Sequence, residues 1–512
     1  MGIRFNLLRR AGSFPRFFDI IEKIGYNILK VNYMNQNNAP IIEGILKYIL
    51  EDFKSFHVPG HQGGKEVDGL LKLLLKQPLK ADLTEIHGLD NLHAPRGMIR
   101  EAQEIAAEAF GAAETFFLVN GSTAGLMAMI NAVCRPGEKV ILPRSAHQGA
   151  FGAIITSGAV PVYIPEGFSG SRWEYTNMTV GQIEKALEEN PEARAVLVNN
   201  PTYFGVCGDL KEIRKITTER GVLLLVDEAH GGHLSFHHGL PAGAAEVGAD
   251  MWVQSTHKTL GSLTQSAMLH LGGEKVDRQR LKHMLSVFQS TSPSYLLLAS
   301  LDAARRQMAQ KGKELLDNIL LLAEEARSRL EQLGFELIPP KKGEFRLDIT
   351  KLVFFTSEFK ESGEKAAFIL RRSGKVEPEM YGKDYILVLL TLGHNEEDLA
   401  ALINAARSLR ERLTLKTFKK KEPEDVSYLH PVSPQLLTPR EAVNLPTEII
   451  SLDRAAGRIS SQMVNIYPPG IPLLVPGEII TSEIIEYILR EKNVHPEIES
   501  GMEELNKIIV VK

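Results

Sequence analysis

Between about residues 40 and 310, short apolar runs alternate with segments that have the apolar spacing of helices. This alternation predicts a mostly parallel β-sheet covered by helices. The run Val222–Val226 is apolar without polar alternation, which is typical of a strand buried on both faces. The predicted strands are Thr115–Val119, Lys139–Leu142, Val160–Ile164, Ala195–Asn199, Val222–Val226 and Met251–Gln254. The helical segments between them include Gly125–Val133, Gln182–Glu189 and Leu210–Arg220.

A second, smaller unit follows a long helical pattern at about residues 294–333. Its apolar runs Leu352–Phe355 and Tyr385–Leu392 and the helical pattern Glu396–Arg412 predict a small α/β domain. The charged run at 416–424 is typical of a solvated linker. We therefore expect four parts: an N-terminal arm at 1–45, a large α/β domain at 46–310, a small α/β domain at 311–420 and an α+β C-terminal domain at 421–512.

The composition narrows the class of protein. Of 512 residues, 44% are hydrophobic and 24% charged, which excludes disordered and fibrous proteins. The net charge of −4 gives no general attraction to nucleic acid or to an anionic membrane. Cys134 and Cys207 cannot build a disulfide framework, and no apolar run reaches the ~18–20 residues of a membrane span. We expect a cytoplasmic protein without nucleic-acid or membrane partners and without a metal site.

The first 33 residues are basic, with four arginines before the first acidic residue, Asp19, and apolar residues between them. One interpretation is a targeting or membrane-surface helix. The other is an N-terminal arm, or a true start at Met34. Pro15 interrupts the helical pattern and favours the second interpretation.

Two charged residues lie where predicted strands end. Lys258, in the segment Ser255-Thr-His-Lys258, follows one strand, and Asp227 follows another. Open α/β sheets bind ligands at the carboxyl ends of their strands. A buried lysine there is stabilised when it is neutral or forms an imine with a cofactor aldehyde. A buried aspartate needs a cationic partner, such as a protonated pyridine nitrogen. The alternatives are a surface lysine and a helix-capping aspartate.

Three other strand ends carry candidate ligand groups. Ser122 and Thr123 open a helix after the first strand, where N–H groups and hydroxyls suit a phosphate, although capping also explains them. His147 follows the second strand and could stack on a flat cofactor or be a core histidine. Thr202 follows the fourth strand and could donate a hydrogen bond. Together these residues predict one cofactor site.

Four segments resemble motifs of the bacterial Orn/Lys/Arg decarboxylases, which are pyridoxal-phosphate (PLP) enzymes of the aspartate-aminotransferase fold. They are Phe56–Gly64, Asp82–His93 with the following Gly97, Ser255–Lys258 and Tyr467–Glu478. The last segment separates this family from ordinary aminotransferases. The resemblance implies a PLP-dependent transferase-like large domain (fold type I) and decarboxylation of a basic amino acid with PLP as cofactor.

The resemblance also implies roles for matching residues. Lys258 would hold PLP as a Schiff base, Asp227 would pair with the pyridine nitrogen, and His147 and Ala229 would pack on opposite faces of the ring. His230 and Thr202 would lie near the ring hydroxyl. The phosphate would contact Gly121, Ser122, Thr123, Ser255 and His257. The catalytic set would be Lys258, His257, Asp227 and His147, with Lys258 or His257 returning a proton to the substrate Cα.

The substrate's distal cation needs an anionic partner. Glu478 is the candidate, with Asp90 or Glu85 from a neighbouring subunit. Charge compensation at the start of a helix is the alternative for Glu478. Gln462 stands where many relatives carry an acid. Arginine, converted to agmatine for polyamine biosynthesis, is the first candidate substrate, and lysine and ornithine are alternatives.

Two other functions stay open at this point. An aminotransferase would need an arginine for the substrate carboxylate, and Arg346, Arg371 and Arg372 are available. A PLP-binding regulatory homologue without activity is the other. Because the PLP motifs begin near residue 56, the N-terminal wing domain of long family members is not expected. We therefore predict a homodimer or a small multiple of dimers.

Overall fold

The protein is described by a computed structural model over residues 49–165, 177–415, 433–466, 470–492, 498–499 and 506–512. The chain divides into two compact units, Met1–Asp52 and Phe53–Lys512. Only residues 49–52 of the first unit are described. The predictions for the N-terminal arm and Met34, and for the linker at 416–424, lie outside the described residues, as does Tyr467.

The second unit is built from helices and strands numbered here in chain order. The strands of its first part are β1 (Lys54–Phe56), β2 (Glu114–Leu118), β3 (Lys139–Pro143), β4 (Val160–Ile164), β5 (Ala195–Asn199), β6 (Val206–Cys207), β7 (Leu223–Asp227), β8 (Met251–Gln254) and β9 (Ala267–Leu271). The helices there are α1 (Gly69–Leu74), α2 (Pro78–Ala81), α3 (Met98–Phe110), α4 (Gly121–Val133), α5 (Gln148–Ser157), α6 (Val180–Glu189), α7 (Leu210–Glu219), α8 (Thr256–Thr259), α9 (Arg278–Phe288) and α10 (Tyr295–Gln332).

A seven-stranded sheet in the order β2-β9-β8-β7-β5-β3-β4 forms the centre. Strands β8, β7, β5, β3 and β4 are parallel, whereas β9 runs antiparallel to both β2 and β8. Alternate residues of β7 enter different apolar clusters: Leu225 packs on one side, and Leu224 and Val226 on the other. Burial on both faces explains why the Val222–Val226 run has no polar alternation.

The second sheet is four-stranded and antiparallel, in the order β10-β13-β16-β15. Lys351 is the first residue of β13. The strands of this part are β10 (Glu336–Leu337), β11 (Lys341–Lys342), β12 (Phe345–Leu347), β13 (Lys351–Phe355), β14 (Val376–Pro378), β15 (Met380–Tyr381) and β16 (Tyr385–Leu389). Its helices are α11 (Gly363–Gly374) and α12 (Glu396–Arg412).

Two small pairings connect the parts around the site. Strand β1 pairs in parallel with β14, which holds the following segment, Phe56–Gly64, against the second sheet. Strand β6, just after β5, pairs with β12 in a three-stranded sheet. Residues of the N-terminal motif and of the second sheet are thereby held near the carboxyl ends of β5 and β7.

The C-terminal part has its own apolar cluster, which includes Leu474, Ile484 and Val510. One of its sheets pairs β17 with β21, and the other has the strand order β19-β18-β20. The elements are α13 (Pro439–Asn444), β17 (Thr447–Ser451), β18 (Val464–Ile466), β19 (Ile471–Leu474), α14 (Ser482–Lys492), β20 (Ile498–Glu499) and β21 (Lys507–Val511).

The six predicted strands of the large sheet are confirmed to within a residue at each end. Strand β9 was not predicted. Its sequence, Ala-Met-Leu-His-Leu, is as apolar as its neighbours, but it follows β8 after only twelve residues, without the intervening long helix that marked the parallel strands. The boundaries of the four predicted domains stay a prediction.

Candidate active site

A cavity opens at the carboxyl ends of β5 and β7, beside the start of α4. It brings together five residues predicted from strand ends, Ser122, His147, Thr202, Asp227 and Lys258, and two implied by the family resemblance, Ala229 and His230. The remaining lining residues are Ser145, Asn199, Pro201, Tyr203, Phe204 and Ile471. The predicted residues Gly121, Thr123, Ser255 and His257 lie beside the cavity in α4 and the β8–α8 segment.

Lys258 lies in the short helix α8, one turn after β8. Its Nζ atom is 3.0 Å from Nε2 of His230. Burial lowers the pKa of the Lys258 ammonium, and the negative charges of Asp227 and Glu379 oppose this effect only in part. A neutral amine is a nucleophile, so burial prepares this side chain for covalent chemistry.

Asp227 is the last residue of β7 and is 6% exposed. Its Oδ1 atom accepts a hydrogen bond from the backbone N–H of Ala229 at 3.1 Å. Burial raises the pKa of the Asp227 carboxyl, while the charge of Lys258 and the Ala229 N–H lower it. No described residue forms an ion pair with this carboxylate, so it is a buried acid at a cavity wall with room for a cationic ligand group.

The first turn of α4 supplies the anion-binding end of the cavity. The backbone N–H groups at Gly121 and Ser122 open a 13-residue helix, and the Ser255 hydroxyl donates to the Ser122 hydroxyl at 2.8 Å. Gly121 has a φ of 72°, a left-handed conformation that glycine adopts without strain. Thr123 is exposed on the same turn. These groups are the ones predicted to contact a phosphate, and that role stays a prediction.

Two of the predicted histidines, His147 and His257, are neutral at pH 7. Burial lowers the pKa of His147 to about 4, with a smaller effect from Lys258, and its Nδ1 accepts from the Gly149 N–H at 3.1 Å. Burial also lowers the pKa of His257 to about 4. Nδ1 of His257 donates to the Ser266 carbonyl at 2.8 Å, which leaves Nε2 as an acceptor. His257 is therefore poorly suited to donate a proton, and Lys258 is the better candidate.

Lys351 in β13 and Glu379 between β14 and β15 contact residues that line the cavity, and neither was predicted. Lys351 is 2% exposed, and its Nζ lies 2.8 Å from Nδ1 of His230 and 2.9 Å from the Tyr203 carbonyl oxygen, to which it donates. Glu379 accepts from the Tyr203 hydroxyl at 2.6 Å and from the Val58 N–H at 2.9 Å. A lysine at the start of an apolar strand looks like an ordinary solvated residue in the sequence, so no local signal marks it.

Two family models match the chain: the major domain of the Orn/Lys/Arg decarboxylases at residues 39–345, and the C-terminal domain of the same enzymes at 426–498. The chain belongs to the Orn/Lys/Arg decarboxylase family. It is 40% identical over 465 residues to an arginine decarboxylase of Bacillus subtilis, covering 89% of this chain and 94% of the relative. An arginine decarboxylase of Halalkalibacterium halodurans is 39% identical, covering 90% and 94%.

Among solved structures, the Francisella novicida lysine decarboxylase LdcF superimposes with a TM-score of 0.74 at 18% identity. The match covers 92% of this chain and 83% of that chain. At this identity the likeness concerns the fold, and it confirms the predicted α/β architecture with a mostly parallel sheet and further domains. In the part of the decarboxylase that the structure describes, no helix is long and apolar enough to cross a membrane.

Glu478 and Asp90, which are predicted to contact the substrate, both bind groups of the chain itself. Glu478 is fully buried, and its two carboxylate oxygens accept from Arg144 Nε and Nη2, each at 3.0 Å. Asp90 accepts from five backbone N–H groups, including those of Gly97 and Ile99 at the start of α3. The carboxylates of both residues thus bind groups of their own chain, and their role toward the substrate stays a prediction.

Glu85 and Gln462 complete the predicted set. Oε2 of Glu85 accepts from the Thr84 hydroxyl at 2.8 Å, and Oε1 has no hydrogen-bond partner among the described residues. Its substrate role stays a prediction. Oε1 of Gln462 accepts from the Ile509 N–H at 2.9 Å, which gives this position a part in the C-terminal sheet.

The Arg144–Glu478 pair provides a test of stability. We expect Arg144→Met to lower the free energy of unfolding by about 3–5 kcal/mol, because it leaves a buried carboxylate without its cation. The double variant Arg144→Met, Glu478→Leu should recover much of this loss, since both charges are then removed. Urea denaturation followed by circular dichroism would measure both. Equal stability of Arg144→Met and wild type would contradict the pairing.

Proposed function

We propose that the chain decarboxylates L-arginine to agmatine, with PLP bound in the cavity and Lys258 as the residue that bonds to it. The observation that supports this proposal is that three features surround one cavity. They are a buried lysine of lowered pKa, a helix N-terminus, and the buried Asp227, which has no ion-pair partner among the described residues. The identity of about 40% to arginine decarboxylases along most of the chain supports arginine as the substrate.

The residues of the cavity fit PLP. Asp227 is a buried carboxylate that would be stabilised by a pyridinium nitrogen, and the turn of Gly121, Ser122 and Ser255 suits a phosphate. The buried Oδ1 of Asn199 has no partner among the described residues and lies in the cavity wall, where a ligand donor can reach it. A polar, flat ligand with one anionic end would satisfy Asn199 Oδ1, pair with Asp227 and accept from the serine hydroxyls.

When bound, PLP supplies an aldehyde that amines condense with and a conjugated pyridinium that accepts the electron pair released as carbon dioxide leaves. The chain's own residues do the rest. Asp227 would stabilise a positive charge on the cofactor ring. His147, which lines the same cavity, would pack on the ring as a neutral imidazole and so adds no second cation. Lys258, when it is not bonded to the cofactor and carries an added proton as an ammonium, would donate that proton to the substrate Cα and return to the neutral amine.

The cavity favours loss of the substrate carboxylate over its retention. The three arginines considered for an aminotransferase do not line it. Arg346 is exposed in β12, and Arg371 pairs with Glu377 at 2.7 Å. Arg372 is exposed on α11 above the ring of Phe368. Without an arginine in the described lining, nothing of that type holds the carboxylate, which supports decarboxylation.

The decisive experiment supplies the purified protein with PLP and, separately, with arginine, lysine or ornithine, and measures carbon dioxide and the product amine. Agmatine from arginine, at a higher kcat/KM than for the other two, is the expected result. Cadaverine or putrescine as the main product would move the assignment to lysine or ornithine. Formation of a keto acid without carbon dioxide would establish the aminotransferase alternative, and no turnover would favour the regulatory one.

Assembly stays a prediction of a homodimer or a small multiple of dimers. Glu85 is the candidate that a second copy would contribute to the site. Sedimentation of wild type and of Glu85→Gln, combined with their KM for arginine, would test both points. A monomer with full activity would exclude a shared site.

Gly60 gives a further test of how the site is held. Its N–H donates to the His257 carbonyl at 2.8 Å, and a Cβ at this position would lie 2.9–3.0 Å from backbone atoms of Lys258, Thr259 and Leu260. Gly60→Ala must therefore displace the segment that carries Lys258, and we expect kcat to fall about 10²-fold. Gly69→Ala is the matched control, because no atom lies within 4 Å of its added Cβ. Unchanged kcat in Gly60→Ala would contradict the contact.

A further inference from the structure

His230 lies between two lysines from different parts of the chain, Lys258 in α8 and Lys351 at the start of β13. Its Nε2 is 3.0 Å from Nζ of Lys258, and its Nδ1 is 2.8 Å from Nζ of Lys351. The ring also packs edge-on against Tyr203, with the centroids 4.7 Å apart. Both nitrogens of one buried imidazole are thus engaged by a lysine.

The chemistry of the imidazole restricts what the two lysines can be. Burial, with the positive charges of Lys258 and Lys351, lowers the pKa of His230 well below its usual range, so the ring is neutral. A neutral imidazole carries one N–H and one lone pair, and an ammonium group can only donate. Both lysines cannot be charged while both contacts are kept. The lysine opposite the N–H must offer a lone pair.

The surroundings decide which lysine keeps the charge. Burial and the positive charge of Lys258 lower the pKa of Lys351 to about 8, against the opposing charges of Asp348 and Glu379, so the contacts of each lysine must show where the charge lies. Its Nζ also donates to the Tyr203 carbonyl and lies 5.5 Å from the centre of the Tyr203 ring, a cation–π distance. Lys258 has only His230 as a hydrogen-bond partner among the described residues. The environment therefore favours the ammonium form of Lys351 at neutral pH.

We propose that Lys351 is a positioning residue. Its ammonium donates a hydrogen bond to Nδ1 of His230, which places the imidazole proton on Nε2. Nε2 then donates to the Lys258 amine, which is held neutral and nucleophilic. The use of a neutral Lys258 rests on the proposed function, because a neutral amine is the form that bonds to an aldehyde. The role of Lys351 concerns the chain itself and is measurable without cofactor.

The other titratable groups that face these three side chains do not replace this role. Asp227 and Glu379 face Lys258, and Asp348, Glu379 and Cys207 face Lys351. Burial raises the pKa of Cys207 well above its usual value, and that of Glu228, behind Asp227, to about 8. The other charged or titratable neighbours are His147 and His257, which are neutral near pH 7, and the hydroxyl of Tyr203.

The test is the pH dependence of the Lys258 amine in the apoprotein. Reductive methylation with limiting formaldehyde over a pH series, read at Lys258 by peptide mass spectrometry, reports the fraction of neutral amine. We expect the midpoint to rise by about one pH unit, tenfold in the protonation equilibrium, in Lys351→Met. The sign follows because a nearby positive charge is lost and Nε2 becomes free to accept from the Lys258 ammonium. Lys282→Met removes an exposed charge elsewhere and should not move the midpoint.

A double-variant cycle tests whether the effect passes through His230. In the His230→Phe background, Lys351→Met should shift the midpoint by less than half as much. Equal shifts in both backgrounds, or no shift in either, would overturn the inference. Should Lys351→Met fail to fold, ¹⁵N spectra of histidine-labelled wild type, with His230→Phe to assign the signals, give the tautomer directly. A proton on Nδ1 would overturn the inference.

A holoenzyme measurement separates this inference from the proposed function. Wild type that binds PLP and shows the visible absorbance of cofactor bonded to lysine supports the proposed function, whatever Lys351 does. Failure of wild type to bind PLP would overturn the proposed function, while the methylation result still decides the tautomer.

Discussion

Lys258→Ala is expected to abolish decarboxylation, with a fall in kcat of at least about 10⁴-fold, because one side chain supplies both the covalent link and the proton. Loss of a positioned general acid alone costs about 10²–10⁴-fold. The visible absorbance of cofactor bonded to lysine should disappear in the same variant. Amine product and absorbance would be measured on the same preparation.

Lys275→Ala is the matched control for Lys258→Ala. Its side chain is half exposed, 3.8 Å from Asp250 and not part of the cavity lining, so wild-type kcat and absorbance are expected. Measurable turnover of Lys258→Ala near the wild-type rate would refute the assignment of the covalent residue.

Asp227→Asn should lower kcat by about 10²–10³-fold while much of the cofactor stays bound, as expected when one preorganised electrostatic partner is lost. The amide oxygen can keep the hydrogen bond from the Ala229 N–H, so the local backbone is preserved. Only the negative charge at the end of β7 is removed. Steady-state kinetics and the bound-cofactor absorbance would separate a catalytic loss from a binding loss.

Asp302→Asn provides the control for Asp227→Asn, since Asp302 is an exposed partner of Arg305 on α10. It should leave kcat unchanged. An Asp227→Asn enzyme with wild-type kcat would show that the carboxylate charge does not support the reaction, and the role of Asp227 would then be confined to holding the backbone.

The second-sheet lysine changes how the site is understood. Lys351 and Glu379 come from a part of the chain that carries no motif, yet they contact His230, Tyr203 and the N-terminal motif. Variation in the second sheet can therefore alter the reactivity of Lys258 without any change in the motifs. Differences of activity among family members with identical motifs are expected to trace to such contacts.

The sequence by itself determined the large sheet and the ends of its strands. Buried strands leave apolar runs such as Leu224–Val226, and the groups that line a ligand cavity follow those runs directly, as Asp227 does. Local patterns of this kind need no knowledge of distant residues. They were sufficient for five lining residues of the cavity, whereas Ala229, His230 and the family came from the resemblance of the motifs.

Tertiary structure alone decided the partners of the buried charges. Glu478 lies 334 residues from Arg144, and Lys351 lies 121 residues from His230, so no local pattern relates them. A carboxylate or an ammonium has the same sequence signature whether it is solvated, paired or aimed at a substrate, because its energy depends on burial and on the charges that the fold brings near it. Glu478 was therefore assigned to a substrate from its motif, and Lys351 was not assigned at all, until the fold showed what each one touches.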